Sequence, residues 1–157
     1  MLVEFRGKGF WAYDVVGAIL LKHMIDAAQQ VTQLSDKSWL QDVITQWQIS
    51  AGVPDYGFYL DDNWSDAQIY LIQNLLNKVQ AQLSHRDYFT ETEIQAWQLV
   101  DDLQICARGH DVIPTRSVIR FGQGVSSLLQ NQMEESPPGT WWFYGLAEKK
   151  ETIQMSF

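Results

Sequence analysis

Two short segments constrain this chain more than any others: "WSDAQI" at Trp64–Ile69 and "FTETEI" at Phe89–Ile94. In each, a hydroxyl residue stands three places before a side chain that can reach back to its amide. Ser65 with Gln68, and Thr90 with Glu93, read as capping boxes. Trp64 with Ile69, and Phe89 with Ile94, read as the hydrophobic staples that set the angle at which the chain enters a helix. Together they answer the orphaned amides of a helix first turn. "LSDKSW" gives a third start, with Ser35 as cap and Leu34 as staple to Trp39.

The residues that follow have helical period. After Ser65, Ile69, Ile72, Leu76, Val79 and Leu83 make one stripe, widened by Leu75. After Thr90, Ala96, Leu99, Val100, Leu103, Cys106 and Ala107 line a face. Near the N-terminus, Val15, Ile19, Leu21, Met24, Ile25 and Ala28 oppose Lys22, Asp26, Gln29 and Gln33. From about Pro114, Val118, Val125, Leu128, Leu129 and Met133 predict another helix. Gly122 and Gly124 weaken it, because each costs about 1 kcal/mol in a helix relative to Ala. Gly122 and Ser126 would in turn let a neighbouring helix approach closely.

The ends carry the other period. "MLVEF" alternates, "TWWFYGL" is a β-prone aromatic run, and in "ETIQMSF" Ile153, Met155 and Phe157 share one side. "AEKKE" suits a hairpin loop between the last two. A lone hairpin is marginal in water, and the N-terminal strand is the candidate to support it. The expected fold is α+β and mainly helical. It has about five helices and a small antiparallel sheet formed by the N-terminal strand and a C-terminal hairpin, in a single globular domain over 1–157.

Length and charge narrow the function. A chain of 157 residues with 46% hydrophobic residues supports one core. The net charge is −8, and the 11 basic residues form no run beyond Lys149-Lys150. Nucleic acid and anionic membrane surfaces are disfavoured as partners, since both need a positive patch. A basic protein partner fits the charge. The single Cys excludes an internal disulfide and fits a reducing, cytoplasmic setting. No apolar stretch reaches the ~18 residues of a membrane span, and no signal-peptide pattern is present.

"CARGHDVIPTRS", Cys106–Ser117, gathers the side chains of which active sites are made. Here Gly109 is the expected C′ residue of the helix begun at Thr90, Arg108 suits its dipole, and Pro114 suits the first turn of the next helix. Cys106 is expected to face the core, and Asp111 to cap the following helix. The candidate catalytic residues are then His110, Asp111 and Arg116. A His-Asp dipeptide also belongs to a helical metal-dependent phosphohydrolase family, but that family carries it on a helix with further His and Asp ligands, a context missing here. His23 with Asp26 shares a helix face, and His85 lies in a polar connection; neither has the further ligands a metal site needs. No phosphate-loop or dinucleotide-binding pattern is present, and no metal or cofactor is expected.

The segment "VPDYGFYLDDNW", Val53–Trp64, is a long, aromatic and acidic connection. Long loops are often functional. Tyr56, Phe58, Tyr59, Asp61 and Asp62 are the candidate binding residues, suited to Lys or Arg of a partner; alternatively the loop folds onto the core and buries its rings. Three functions follow. One is a non-enzymatic protein-binding module, immunity- or adaptor-like; small acidic aromatic-rich immunity proteins are similar in composition, although no motif is shared. Another is a small hydrolase-type enzyme using His110 and Asp111. The third is a homo-oligomer, such as a dimer, joined through the aromatic terminal sheet, because both faces of "WWFY" carry rings.

Overall fold

The computed structural model describes residues 1–34, 38–146 and 149–154. Five helices account for most of it: α1 (Asp14–Leu34), α2 (Ser38–Gly52), α3 (Asp66–Leu83), α4 (Glu91–Ala96) and α5 (Thr115–Leu129). The strands are β1 (Leu2–Phe5), β2 (Lys8–Ala12), β3 (Tyr88–Thr90), β4 (Val112–Pro114), β5 (Thr140–Tyr144) and β6 (Glu151–Gln154). The protein is thus α+β and mainly helical, with terminal strands gathered into one sheet. No helix among the described residues is long and apolar enough to cross a membrane.

The main sheet has the order β1-β2-β5-β6. It consists of two antiparallel hairpins, β1–β2 and β5–β6, joined by a parallel pairing of β2 with β5. "FRGK" closes the first hairpin: Arg6 (φ 51°) and Gly7 (φ 82°) are both left-handed, the signature of a two-residue type I′ turn. Alternation sends Val3, Phe5, Phe10, Ala12 and Tyr144 inward onto α5. There Phe121 is fully buried, edge-on to Phe10 at 5.7 Å and to Phe58 at 5.6 Å.

Helix α1 is the central post. Its residues 15–21 are buried on every side, and it packs against α2, α3 and α5. Asp26 and Gln29 mark its solvent face. The Ser65 capping box forms as the sequence predicts, with Gln68 N donating to Ser65 Oγ (3.2 Å) and Ser65 N donating to Gln68 Oε1 (2.8 Å). Gly122 and Gly124 both lie inside α5 and are both buried. Gly122 faces Gln80 of α3, and Gly124 faces the Tyr144 ring. The Ser35 start, the Leu34 side chain and the Met155 and Phe157 positions fall outside the described residues.

The predicted helix after Thr90 is corrected in length. Thr90 does cap it, through Glu93 N (3.2 Å), but Glu93 turns its carboxylate to Arg86 rather than closing the box. Helix α4 ends at Ala96, and Trp97 is already extended (ψ 132°). From Leu103 to Arg108 exposure alternates residue by residue, with Ile105 and Ala107 buried between exposed Gln104, Cys106 and Arg108. The segment is extended, so Cys106 points to solvent, not to the core. Its apolar spacing satisfied both periods, and the non-local anchor decides: Leu103 sits against Gly52 at the end of α2. Asp111 is corrected too. It does not cap α5; Pro114 holds that position with no side-chain cap, and Asp111 uses its carbonyl to accept from Glu91 N (3.2 Å). The chain before α5 instead forms β4, which pairs with β3 in a small second sheet.

Candidate functional site

The residues of 53–64 divide into an anchor and an exposed rim. Phe58 is the anchor: it borders the cleft, but its side chain is buried. Its amide donates to Leu2 O (2.9 Å), it bridges Val3 in parallel, and its ring is buried against Phe121. Trp64 is buried edge-on to Tyr59. Trp47 Nε1 donates to Tyr59 O at 2.9 Å, which fixes the middle of the loop to α2. At the far end, Arg6 donates from its guanidinium to the carbonyls of Asp62 (3.1 Å) and Trp64 (2.9 Å). Its amide donates to the Asp62 carboxylate (2.7 Å). The loop is therefore tied to the β1–β2 hairpin and to α2.

Held this way, the loop leaves a cleft of about 590 Å³ between itself and the outer side of β1. Glu4, Asp55, Asp61 and Asp62 line it together with Tyr56 and Tyr59. Tyr56 is 50% exposed, and its hydroxyl bonds Gln46. Among the described residues, none of the four carboxylates has an ion-pair partner. The field of the cleft registers on Tyr59. Burial pushes its phenol up, and the charge of Asp61, a hydrogen bond to that carboxylate, and more distant Asp42 push the same way. A negative, partly desolvated cleft rimmed by ring faces is chemically suited to a cation.

The catalytic candidates lie elsewhere. His110 follows the left-handed Gly109 (φ 88°), is half-buried, and sets its ring edge-on to Tyr13 at 5.0 Å. Asp111 is exposed just before β4, and Arg116 is exposed in the first turn of α5. None of these three lines the cleft under β1, nor two further clefts, one beside Trp141 and Trp142 and one beside Cys106. His85 and His23 occupy different places: His85 follows the end of α3, while His23 is half-buried on α1. No group of three or more metal-ligating side chains occurs among the described residues.

Comparison with family models, with curated proteins and with solved structures returned no match.

Two features of the surface depend on contacts distant in sequence. Glu4 joins the cleft only because β1 lies beside the loop, a contact made across more than fifty residues. The outward face of the main sheet is the other. Register places Leu2, Trp11 and Phe143 in one cross-strand row. Tyr13 extends it, 6.3 Å from Phe143. Trp11 is 37% and Tyr13 39% exposed. The sequence announced the rings of "WWFY" on this face; "FWAYD" adds Trp11 of β2 and Tyr13 just beyond it.

Proposed function

We propose that this protein is a non-enzymatic binding module whose cleft between β1 and the 53–64 loop takes a Lys- or Arg-bearing segment of a protein partner. One observation carries the reading: four carboxylates without ion-pair partners among the described residues share a cleft with two tyrosines on a loop fixed at its middle and its far end. A pre-fixed site loses little conformational entropy on binding. Rings and carboxylates together favour a cation over an apolar ligand. The −8 net charge adds long-range steering toward a basic partner.

The test is a displayed random-peptide library panned on the wild type. Counter-selection uses Glu4→Lys/Asp55→Lys, at two positions that make no side-chain hydrogen bond among the described residues. Lys- and Arg-rich peptides should be enriched, should lose binding to the double variant, and should bind more weakly as salt rises. Enrichment without basic residues, or equal binding to the charge-reversed variant, defeats the reading.

The outward row of Leu2, Trp11 and Phe143 favours a second reading, self-association through the terminal sheet. Sedimentation over a concentration series, with Trp11→Lys as control, tests it. A concentration-dependent dimer abolished by that substitution supports it, and a monomer throughout ends it.

A further inference from the structure

His23 of α1 is the centre of a small cluster apart from the cleft. Its ring stands edge-on to Phe89 of β3 at 5.4 Å and to Trp97 at 5.6 Å. Phe89 and Trp97 also meet each other edge-on at 5.7 Å, so the three rings close a triangle. Nδ1 lies 2.9 Å from Ile19 O, which commits that nitrogen as the donor. Arg86 covers Phe89, with its guanidinium carbon 3.8 Å from the ring centroid.

The charged groups that act on the imidazole lie on α1, ahead of β3 and on α4. They are Lys22 and Asp26 of α1, Arg86 ahead of β3, and Glu93 of α4. These four already pair off, Lys22 with Asp26 at 2.8 Å and Arg86 with Glu93 at 2.5 Å. A proton on His23 would add a cation beside Arg86 and Lys22 in a partly desolvated site, where the neighbouring carboxylates, Asp26 and Glu93, already have partners. Besides His23, Trp97 is held by Phe89 and by its amide, which donates to Ile94 O (3.2 Å). It is the residue at which α4 ends, and the following chain has only a short 3₁₀ turn, Val100–Asp102, before β4.

We propose that His23 is a proton-operated latch: while neutral it holds the Trp97 ring, and the chain leaving α4, against α1, and when protonated it lets them go. Burial, which lowers the affinity of this imidazole for a proton, is in keeping with the neutral, closed state near neutrality.

The test is NMR on the whole chain, following amide exchange corrected for its intrinsic pH dependence, with His23→Gln for comparison. The glutamine can still donate to Ile19 O but does not titrate. On acidification below the ordinary histidine value of 6.5, the wild type should lose protection at the Trp97 indole and at residues 94–100, and the rest of α1 should keep its protection. The variant should show no such loss. The latch is overturned if protection at Trp97 holds or rises on acidification, if the variant loses it equally, or if the loss is uniform along the chain. Should the variant fail to fold, the wild type alone decides, because a His23 ring proton that titrates at its ordinary value also overturns the proposal.

Discussion

Placing Ala at Gly122 and at Gly124, two residues apart in α5, should move stability in opposite directions. Either change gains roughly 0.8–1.0 kcal/mol of helix propensity. At Gly122 the new Cβ would lie 2.4 Å from Gln80 Nε2, but 3.3 Å or more from the rest of that side chain. Only the end of a flexible chain must swing, and that nitrogen is buried with no hydrogen-bond partner. Glycine 122 replaced by alanine should therefore stabilise by about 0.5–1 kcal/mol. At Gly124 the Cβ would lie 2.8 Å from Tyr144 Cζ and 3.0 Å from its hydroxyl oxygen. That ring is buried and wedged 4.7 Å from Phe10 and 6.4 Å from Phe121. It can yield only by disturbing its neighbours, and such overpacking costs roughly 1–3 kcal/mol. The net for Gly124→Ala is a loss of about 1 kcal/mol, so the two variants should differ by about 2 kcal/mol. Urea unfolding with unchanged slope measures this directly, and melting points should move by roughly 2–4 °C per kcal/mol in a domain of this size. If Gly124→Ala is as stable as wild type, or Gly122→Ala is the worse of the two, the packing argument is wrong.

Other predictions test the anchors. Ser65→Ala removes the reciprocal cap of α3 and should cost about 1 kcal/mol by chemical denaturation. Trp47→Phe strands the Tyr59 carbonyl and leaves a void where the fully buried indole packed; a loss of about 2–4 kcal/mol is expected, with faster amide exchange at 55–63. His23 and Glu93 make stability fall with acid in two windows. Burial lowers His23 below its ordinary 6.5, so its contribution is complete above that pH and declines as the pH falls through the folded-state value. The Arg86 guanidinium, by hydrogen bonding, holds Glu93 below its ordinary 4.5; that contribution is present above 4.5 and is lost as the pH falls through its folded-state value. In stability–pH curves, His23→Gln should flatten the upper window and Arg86→Gln the lower; a curve unchanged by either substitution contradicts its assignment.

The helices were legible where a local device stood beside a long stripe. Ser65 and Gln68 name the start of α3 by themselves, and Ile72 to Leu83 supply its buried face. Local devices could not say where α4 stops. Residues 97–108 offered apolar positions to either period, and contacts of Trp97 with α1 and of Leu103 with α2 selected a non-helical path broken by one 3₁₀ turn. The same limit applies to the cleft. Its aromatic and acidic loop stood out in the sequence, yet nothing local told Phe58 from Tyr56. Phe58 is buried because β1 and α5 meet it, and Tyr56 is exposed because the loop turns away. Short strands such as β3 and β4, three residues each, carry too little pattern to announce themselves.

The parallel pairing of β2 with β5 has a consequence for how the molecule is made. On the side away from β1, Trp11 and Ala12 find their partners at Phe143 and Tyr144, after the whole helical body has intervened. On the ribosome, then, the β1–β2 hairpin emerges ahead of the helical body and is completed only after it. Until β5 appears, one side of β2 has no neighbour from its own sheet, and the inward ring of Phe10 lacks Tyr144 as cover. Sequence-distant pairing of this kind slows folding and prolongs the life of open strand edges. The α1–α2 pair, built from contacts close in sequence, can assemble first, while the inner face of the hairpin waits for Phe121 of α5.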